Sequence, residues 1–221
     1  MVSVLGRLRM NALCHGWRAA LGLLALGVAR RVVTFERVLL YELPGFPAGR
    51  GCPGPDRARL ATVDEVKVLL HDPEFGFGSM SESKAEHLYA AGHRCVFNVS
   101  EGRVAGYAWL GFGDIEIPQL GLALERLDHE GYIYKGFTHP AFRGQGAADD
   151  RYLFWMQYLQ EHGKRSAVAY FSFDNLATLT RVRKLSLRRL GTITLLCIGR
   201  YRRVVVSGGL SNRRCWPLTT R

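Results

Sequence analysis

The chain has no long apolar run. The stretch AALGLLALGVA, residues 19–29, is eleven residues long, too short to cross a bilayer as a helix. Cysteine is sparse and scattered. Cys14, Cys52, Cys95, Cys197 and Cys215 are odd in number, and no two of them form a CxxC pair. That pattern argues against a disulfide scaffold and against a zinc site, so no metal is expected, and a reducing cytoplasm fits best. No internal repeat is visible. Lysine is also scarce, with 5 lysines against 25 arginines. A hydrophobic content of 48% and a charged content of 22% exclude extended disorder and fit a globular domain.

The 221 residues carry a net charge of +11. Such a charge favours an anionic partner: a phosphorylated cofactor, a nucleic acid or an acidic membrane face. The arginine skew also fits a codon-usage origin. Asn98-Val99-Ser100 matches a glycosylation triplet, a pattern short enough to arise by chance. Residues 19–29 are flanked by Arg18 and by Arg30-Arg31. Three readings of this segment stay open: a packed or interfacial helix, a signal peptide, and a membrane anchor. Packing is favoured, because RRVVTFERVLLYEL follows at once and its strand needs a partner. The expected location is cytoplasmic, with peripheral membrane contact through residues 11–31 as the alternative.

The chain divides by composition. Residues 1–43 read as a helix and a strand that extend a core domain. Residues 44–55 hold Pro44, Pro47, Pro53 and Pro55 and read as a linker. Residues 56–206 form the domain, and residues 207–221 a frayed tail. Within the domain a short strand precedes a helix announced by the capping-box spacing of Thr62 and Glu65. A second helix spans 83–93, ended by Gly92. A hairpin turns at Glu101-Gly102. Residues 115–124 read as one strand, with Pro118 forcing an edge or a bulge. Residues 131–139 form another strand. Ala148, Tyr152, Trp155, Met156 and Leu159 recur at helical spacing, and Gly163 stops that helix. A strand at 166–173, a helix from about 176 to 185 and one or two closing strands complete an α/β chain.

The segment THPAFRGQGAADDR, residues 138–151, carries the chemistry. Pro140 ends a strand ladder because it has no N–H. Gly144 and Gly146 allow tight turning, and the small residues leave the first N–H groups of the next helix uncovered. A pyrophosphate fits such an end, with Arg143 beside it. Arg143-Gly144-Gln145-Gly146-Ala147-Ala148 resembles R-x-x-G-x-A, the acyl-CoA pyrophosphate loop of the GNAT N-acetyltransferase superfamily. Residues 174–191 resemble that superfamily's N-x-A…K-L-G-F-x-x-x-G segment, with Asn175, Ala177, Lys184, Leu185 and Gly191 at matching positions. The resemblance covers about residues 56–203.

The resemblance implies a mixed, mostly antiparallel sheet flanked by helices, whose central strands splay to admit a pantetheine arm. It implies direct transfer of an acyl group from acetyl-CoA, or another acyl-CoA, to an amine. Backbone groups of Phe137 and Thr138 would meet the pantetheine and the thioester carbonyl. Residues Arg143, Gly144, Gln145, Gly146, Ala147 and Ala148 would hold the pyrophosphate, and Asn175 would contact the cosubstrate or a water near the sulfur. Three positions depart from the pattern. Val182 stands where many members place an acidic tyrosine. K-L-S-L replaces K-L-G-F, putting Ser186 at a turn. Asp149 and Asp150 follow the loop, where they suit the helix dipole but would repel a pyrophosphate.

The amine must also lose a proton. Glu116, Glu130, His129, His139, Tyr132 and Tyr134 are the candidates, and Glu116 acting through water is chosen. Trp109 and Phe112 line the acceptor side or belong to the core. Two rival readings remain: a non-catalytic acyl-CoA-binding protein, and a basic nucleic-acid binder suggested by RVRKLSLRR at residues 181–189.

Overall fold

The computed structural model describes residues 33–44, 51–77, 80–175, 178–179, 182 and 187–218. Val33–Pro44 forms strand β1, with Val38 and Leu40 buried from alternate positions. Ala58–Leu60 is a short strand, β2. Thr62 then caps helix α1 (Val63–Leu70). Its hydroxyl accepts from the Glu65 N–H at 3.2 Å, and the Glu65 carboxylate accepts from the Thr62 N–H at 2.8 Å. This is the capping box that the spacing predicts. Ser81 caps helix α2 (Glu82–Ala90), and Gly92 follows with φ 85°.

Strands β3 (Arg94–Ser100) and β4 (Arg103–Gly111) form the expected hairpin. Glu101 and Gly102 both take positive φ, 51° and 72°, as a two-residue turn between twisted strands requires. Residues 115–124 do not form one strand. Pro118 stops β5 (Ile115–Ile117) and opens a single 3₁₀ turn; Gly121 at φ 58° then leads back into β6 (Leu122–Leu124). Without an N–H, Pro118 ends the ladder rather than bulging it.

Strand β7 (Glu130–Thr138), helix α3 (Ala147–Glu161), β8 (Ser166–Ser172), β9 (Arg188–Ile198), β10 (Tyr201–Gly208) and β11 (Cys215–Pro217) follow. The main sheet has eight strands in the order β10-β9-β1-β8-β7-β4-β3-β2. Every pairing in it is antiparallel except β7 with β8. A second sheet, β11-β6-β5, is antiparallel.

One face of the main sheet packs on α3, where Trp155, Met156 and Leu159 meet Val96, Ala108, Leu110 and Ile133. The opposite face has two covers. Helices α1 and α2 enclose Phe97, Tyr107 and Trp109, while the small sheet covers Val38, Leu40 and Ile193.

Two expectations about the termini are corrected. Residues 33–43 are not separate from the core domain: β1 lies between β8 and β9 and bonds to both, so the partner its strand needs is the main sheet. A strand with apolar residues on both faces gains most where neighbours satisfy both its backbone edges. The expected helix at 11–31 falls outside the described residues. The tail is not frayed through residue 218. Leu210 is fully buried, β11 pairs with β6, and Arg213 grips Glu130 with two hydrogen bonds of 2.6 Å. Gly191, a glycine of the resemblance, has a local reason as well: a Cβ there would collide with the Ser207 carbonyl oxygen.

Candidate active site

The site begins where two parallel strands separate. β7 and β8 pair from Glu130 with Ser166 to Ile133 with Ala169, and no further. Beyond those residues the strands part, leaving a gap between residues 134–138 and 170–172. The gap's β7 wall is bent. Tyr107 pairs with Phe137 and Trp109 with Tyr134, so Ala108 faces both Lys135 and Gly136, and Lys135 takes φ 50°. This bulge turns the strand's later backbone groups. The His139 N–H donates to Ala105 on β4. Alternation therefore faces the Thr138 N–H toward the gap.

The loop at the end of β7 behaves as its small residues suggest. Pro140–Phe142 makes a 3₁₀ turn, and Gly144 and Gly146 take φ 81° and 84°. Gly146 is the N-cap of α3 and offers no side chain to cap it. Among the described residues no acceptor meets the N–H groups of Gly144, Gln145, Gly146, Ala147 and Ala148. Uncovered N–H groups at the positive end of a helix dipole suit an anion. Arg143 is exposed, with its Nε donating to the Thr138 carbonyl at 3.2 Å. The Gln145 amide donates to the Ala141 carbonyl at 3.0 Å.

Asp150 pairs with Arg57 at 2.9 Å, so its charge is partly balanced from outside the loop. The side chain of Asn175 accepts from the Thr178 N–H at 3.2 Å and so acts as a helix cap; among the described residues its amide nitrogen has no partner. The helix expected over 176–185 lies mostly outside the described residues. Val182 is buried.

Arg151 fixes the loop to the bent strand. Its Nη1 donates to Asn98 Oδ1 at 2.6 Å and to the Phe137 carbonyl at 3.0 Å, and its Nη2 to Thr138 Oγ1 at 3.3 Å. The carbonyls of Phe137 and Thr138 are therefore engaged within the protein. Of their backbone groups, the Thr138 N–H is the one that faces the gap, where a thioester or a pantetheine would lie. Gly106 leaves the space for this cluster, since a Cβ there would lie 2.5 Å from the Phe137 oxygen. Sequence reasoning missed Arg151 and Asn98. A signal existed in both cases. Arg151 falls on the apolar stripe of its helix, four residues before Trp155, and Asn98 interrupts the buried run CVFNV.

On the face away from α3 the gap is floored by tyrosines. Tyr132 stacks on Tyr134 at 4.8 Å and on Tyr170 at 6.1 Å. The Tyr132 hydroxyl donates to the Glu116 carbonyl at 2.7 Å, and the exposed Glu116 carboxylate adds to the pressure on the phenols. Burial, more than Glu116, pushes the Tyr132, Tyr134 and Tyr170 hydroxyls up. His93, also missed, holds the Tyr134 hydroxyl at 2.6 Å through Nδ1. Burial lowers the His93 pKa, and the nearby His87 and Arg94 lower it further, which favours the neutral ring.

The raised tyrosines predict a pH response. Their folded pKa values lie above the ordinary 10.0. Their contribution to stability is full below pH 10 and is lost as pH rises through the folded values. Each costs up to about 1.4 kcal/mol per pH unit above 10. Melting temperatures measured across the alkaline range should stay level with respect to these groups up to about pH 10 and fall beyond it.

The other candidate bases are placed elsewhere. Glu130 is buried against Arg213, and its carboxylate also accepts from the Leu127 N–H. His129 is exposed in the turn before β7. His139 caps the 3₁₀ turn through Nδ1 and meets Glu74 at 3.0 Å through Nε2. Trp109 is core, and Phe112 packs by Tyr158 and His162 at the far end of α3, so neither lines the gap. No group of histidine, cysteine, aspartate and glutamate able to hold a metal occurs among the described residues.

This arrangement of bent strand, parted neighbour and glycine-rich helix start is the fold of the GNAT acetyltransferases. A GNAT-family acetyltransferase from Colwellia psychrerythraea superposes with a TM-score of 0.52 at 12% identity, over 81% of this chain and 62% of that one. A Drosophila protein superposes at 0.50 with 11% identity, over 80% of this chain and 56% of that one. The chain thus spans less than two thirds of either structure. No protein-family model and no curated protein matches the sequence.

Proposed function

We propose that the protein is an acyl-CoA-dependent N-acyltransferase, acetyl-CoA being the simplest donor. The observation that carries this reading is the parting of β7 and β8 after Ile133 and Ala169, directly beside the uncovered N–H groups of Gly144 to Ala148. A slot between strands suits a pantetheine arm, and a bare helix start suits its pyrophosphate. Arg143 adds a positive charge at the loop. Asn175 offers its amide nitrogen from the far side of the gap. The Thr138 N–H faces the place where a thioester oxygen would gain charge.

In the reaction an amine nitrogen bonds to the thioester carbon, the carbon–sulfur bond breaks, and the amine's proton must leave. Two groups stand ready for that proton. Glu116 is exposed beside the tyrosines and takes it through water. His93, in its neutral form and joined to Tyr134, takes it through the phenol: Tyr134 accepts the proton from the amine and passes its own to Nδ1. Val182 is buried and has no proton to give, so the thiolate leaves either unprotonated or protonated by solvent; a thiol of ordinary pKa is a tolerable leaving group.

The two routes separate by substitution. Glu116→Gln or His93→Gln should lower kcat about 100-fold or more, whichever group is the base, with CoA affinity unchanged. Steady-state kinetics over pH, on a panel of primary amines, reads the difference. Loss of the acidic limb of the kcat/KM profile in only one variant identifies the base. CoA binding without turnover on any amine would favour the non-catalytic reading instead.

A further inference from the structure

Helix α3 lies over β2, β3, β4, β7 and β8. Leu39 of β1 pairs with Phe171, which packs on the α3 side, so the odd-numbered residues of β1 face that way from Val33 to Leu39. Across β1, β9 and β10 they align in rows. Val33 pairs with Ile198 and that with Tyr201; Phe35 with Leu196 and that with Arg203; Arg37 with Thr194 and that with Val205. A solvated antiparallel face normally carries polar residues. Here Phe35, Ile198, Tyr201 and Val205 are 45–58% exposed. Phe173 meets Phe35 edge to face at 6.1 Å, and the Arg37 guanidinium lies 5.2 Å over the Phe35 ring. These rows contain Arg37 and Arg203 and no carboxylate, and among the described residues β10 is the last strand of the sheet.

We infer that this face docks on an anionic lipid surface. A contiguous apolar face with embedded arginines marks an interaction site, and its charge calls for an anionic partner. A second copy would oppose arginine to arginine. A nucleic acid would neutralise the arginines but offer nothing to Ile198 and Val205. A bilayer surface receives both kinds of group, with side chains entering the acyl boundary and guanidinium groups meeting phosphate. The sequence just before β1 agrees. Residues 19–29 are apolar and flanked by Arg18 and Arg30-Arg31, and they lead into the strand that opens on this face. One short apolar segment anchors only marginally, and a second contact makes the attachment stable. The inference does not depend on acyl transfer.

The test is sedimentation of the full chain with vesicles of phosphatidylcholine plus phosphatidylglycerol, and with phosphatidylcholine alone. Binding is expected only with the anionic lipid and should weaken with salt. The double variant Ile198→Glu/Val205→Glu changes two exposed side chains and should keep the melting temperature while reducing vesicle binding about tenfold or more. Arg37→Glu/Arg203→Glu should do the same. Undiminished sedimentation of both variants would overturn the inference, as would absence of binding by the unaltered chain. If the variants instead lose binding to a single-stranded oligonucleotide, or dissociate a dimer seen by size exclusion, while vesicle binding is unaffected, the face serves that partner and the lipid assignment is overturned.

Discussion

Replacing Arg213 with methionine lowers the protein's stability by about 3–5 kcal/mol. The Arg213 and Glu130 side chains are only 8% and 2% exposed, and they share two hydrogen bonds of 2.6 Å. Removing the cation leaves a buried carboxylate whose one remaining hydrogen bond among the described residues is from the Leu127 N–H at 3.1 Å. The loss falls on the start of β7, where that strand is paired with β8 before the gap. It also frees the chain that leads into β11. Urea denaturation measures the effect. The double variant Glu130→Leu/Arg213→Met should recover most of the stability, because a well-packed apolar pair removes the desolvation cost. A single variant as stable as the original chain would show that the terminal segment does not hold the strand.

The second large effect concerns the loop. Gly146 caps α3 at φ 84°, a conformation that a β-branched residue resists strongly. Gly146→Val should therefore turn the first N–H groups of α3 away from a common point. CoA affinity is expected to fall about 100-fold, equivalent to about 2.7 kcal/mol. Arg143→Glu keeps the backbone and reverses one charge at an exposed position, and it should cost at least about tenfold. Calorimetry on both variants checks the order. Equal affinities for Gly146→Val and the unaltered chain would remove the loop from the site, whatever the reaction.

Local signals in the sequence were strong where one residue type has one physical use. Thr62 and Glu65, Glu101-Gly102, the α3 stripe and Gly144 with Gly146 each specify a backbone conformation that the structure adopts. The R-x-x-G-x-A resemblance placed the loop between a strand and a helix, as observed, and the splayed mixed sheet it implied is present. Long-range partners were not legible. Nothing in VVTFERVLLYEL states that its neighbours are residues 166–172 and 188–198, so β1 read as an extension. Arg213 met Glu130 from 83 residues away. Pro118 was ambiguous because a bulge and a turn both accommodate a missing N–H. His93 carried no motif, and its role came only from contact with Tyr134. Phe137 and Thr138 were singled out by resemblance, but Arg151, which engages the Phe137 carbonyl, could be placed there only by the fold.

Titration calorimetry of the unaltered full chain with CoA and with acetyl-CoA tests the central claim most directly. Saturable binding of both ligands with one site per chain, lost on Gly146→Val and weakened by Arg143→Glu, is the expected result. Absence of heat with either ligand at millimolar concentration, from a chain that melts cooperatively, would contradict it.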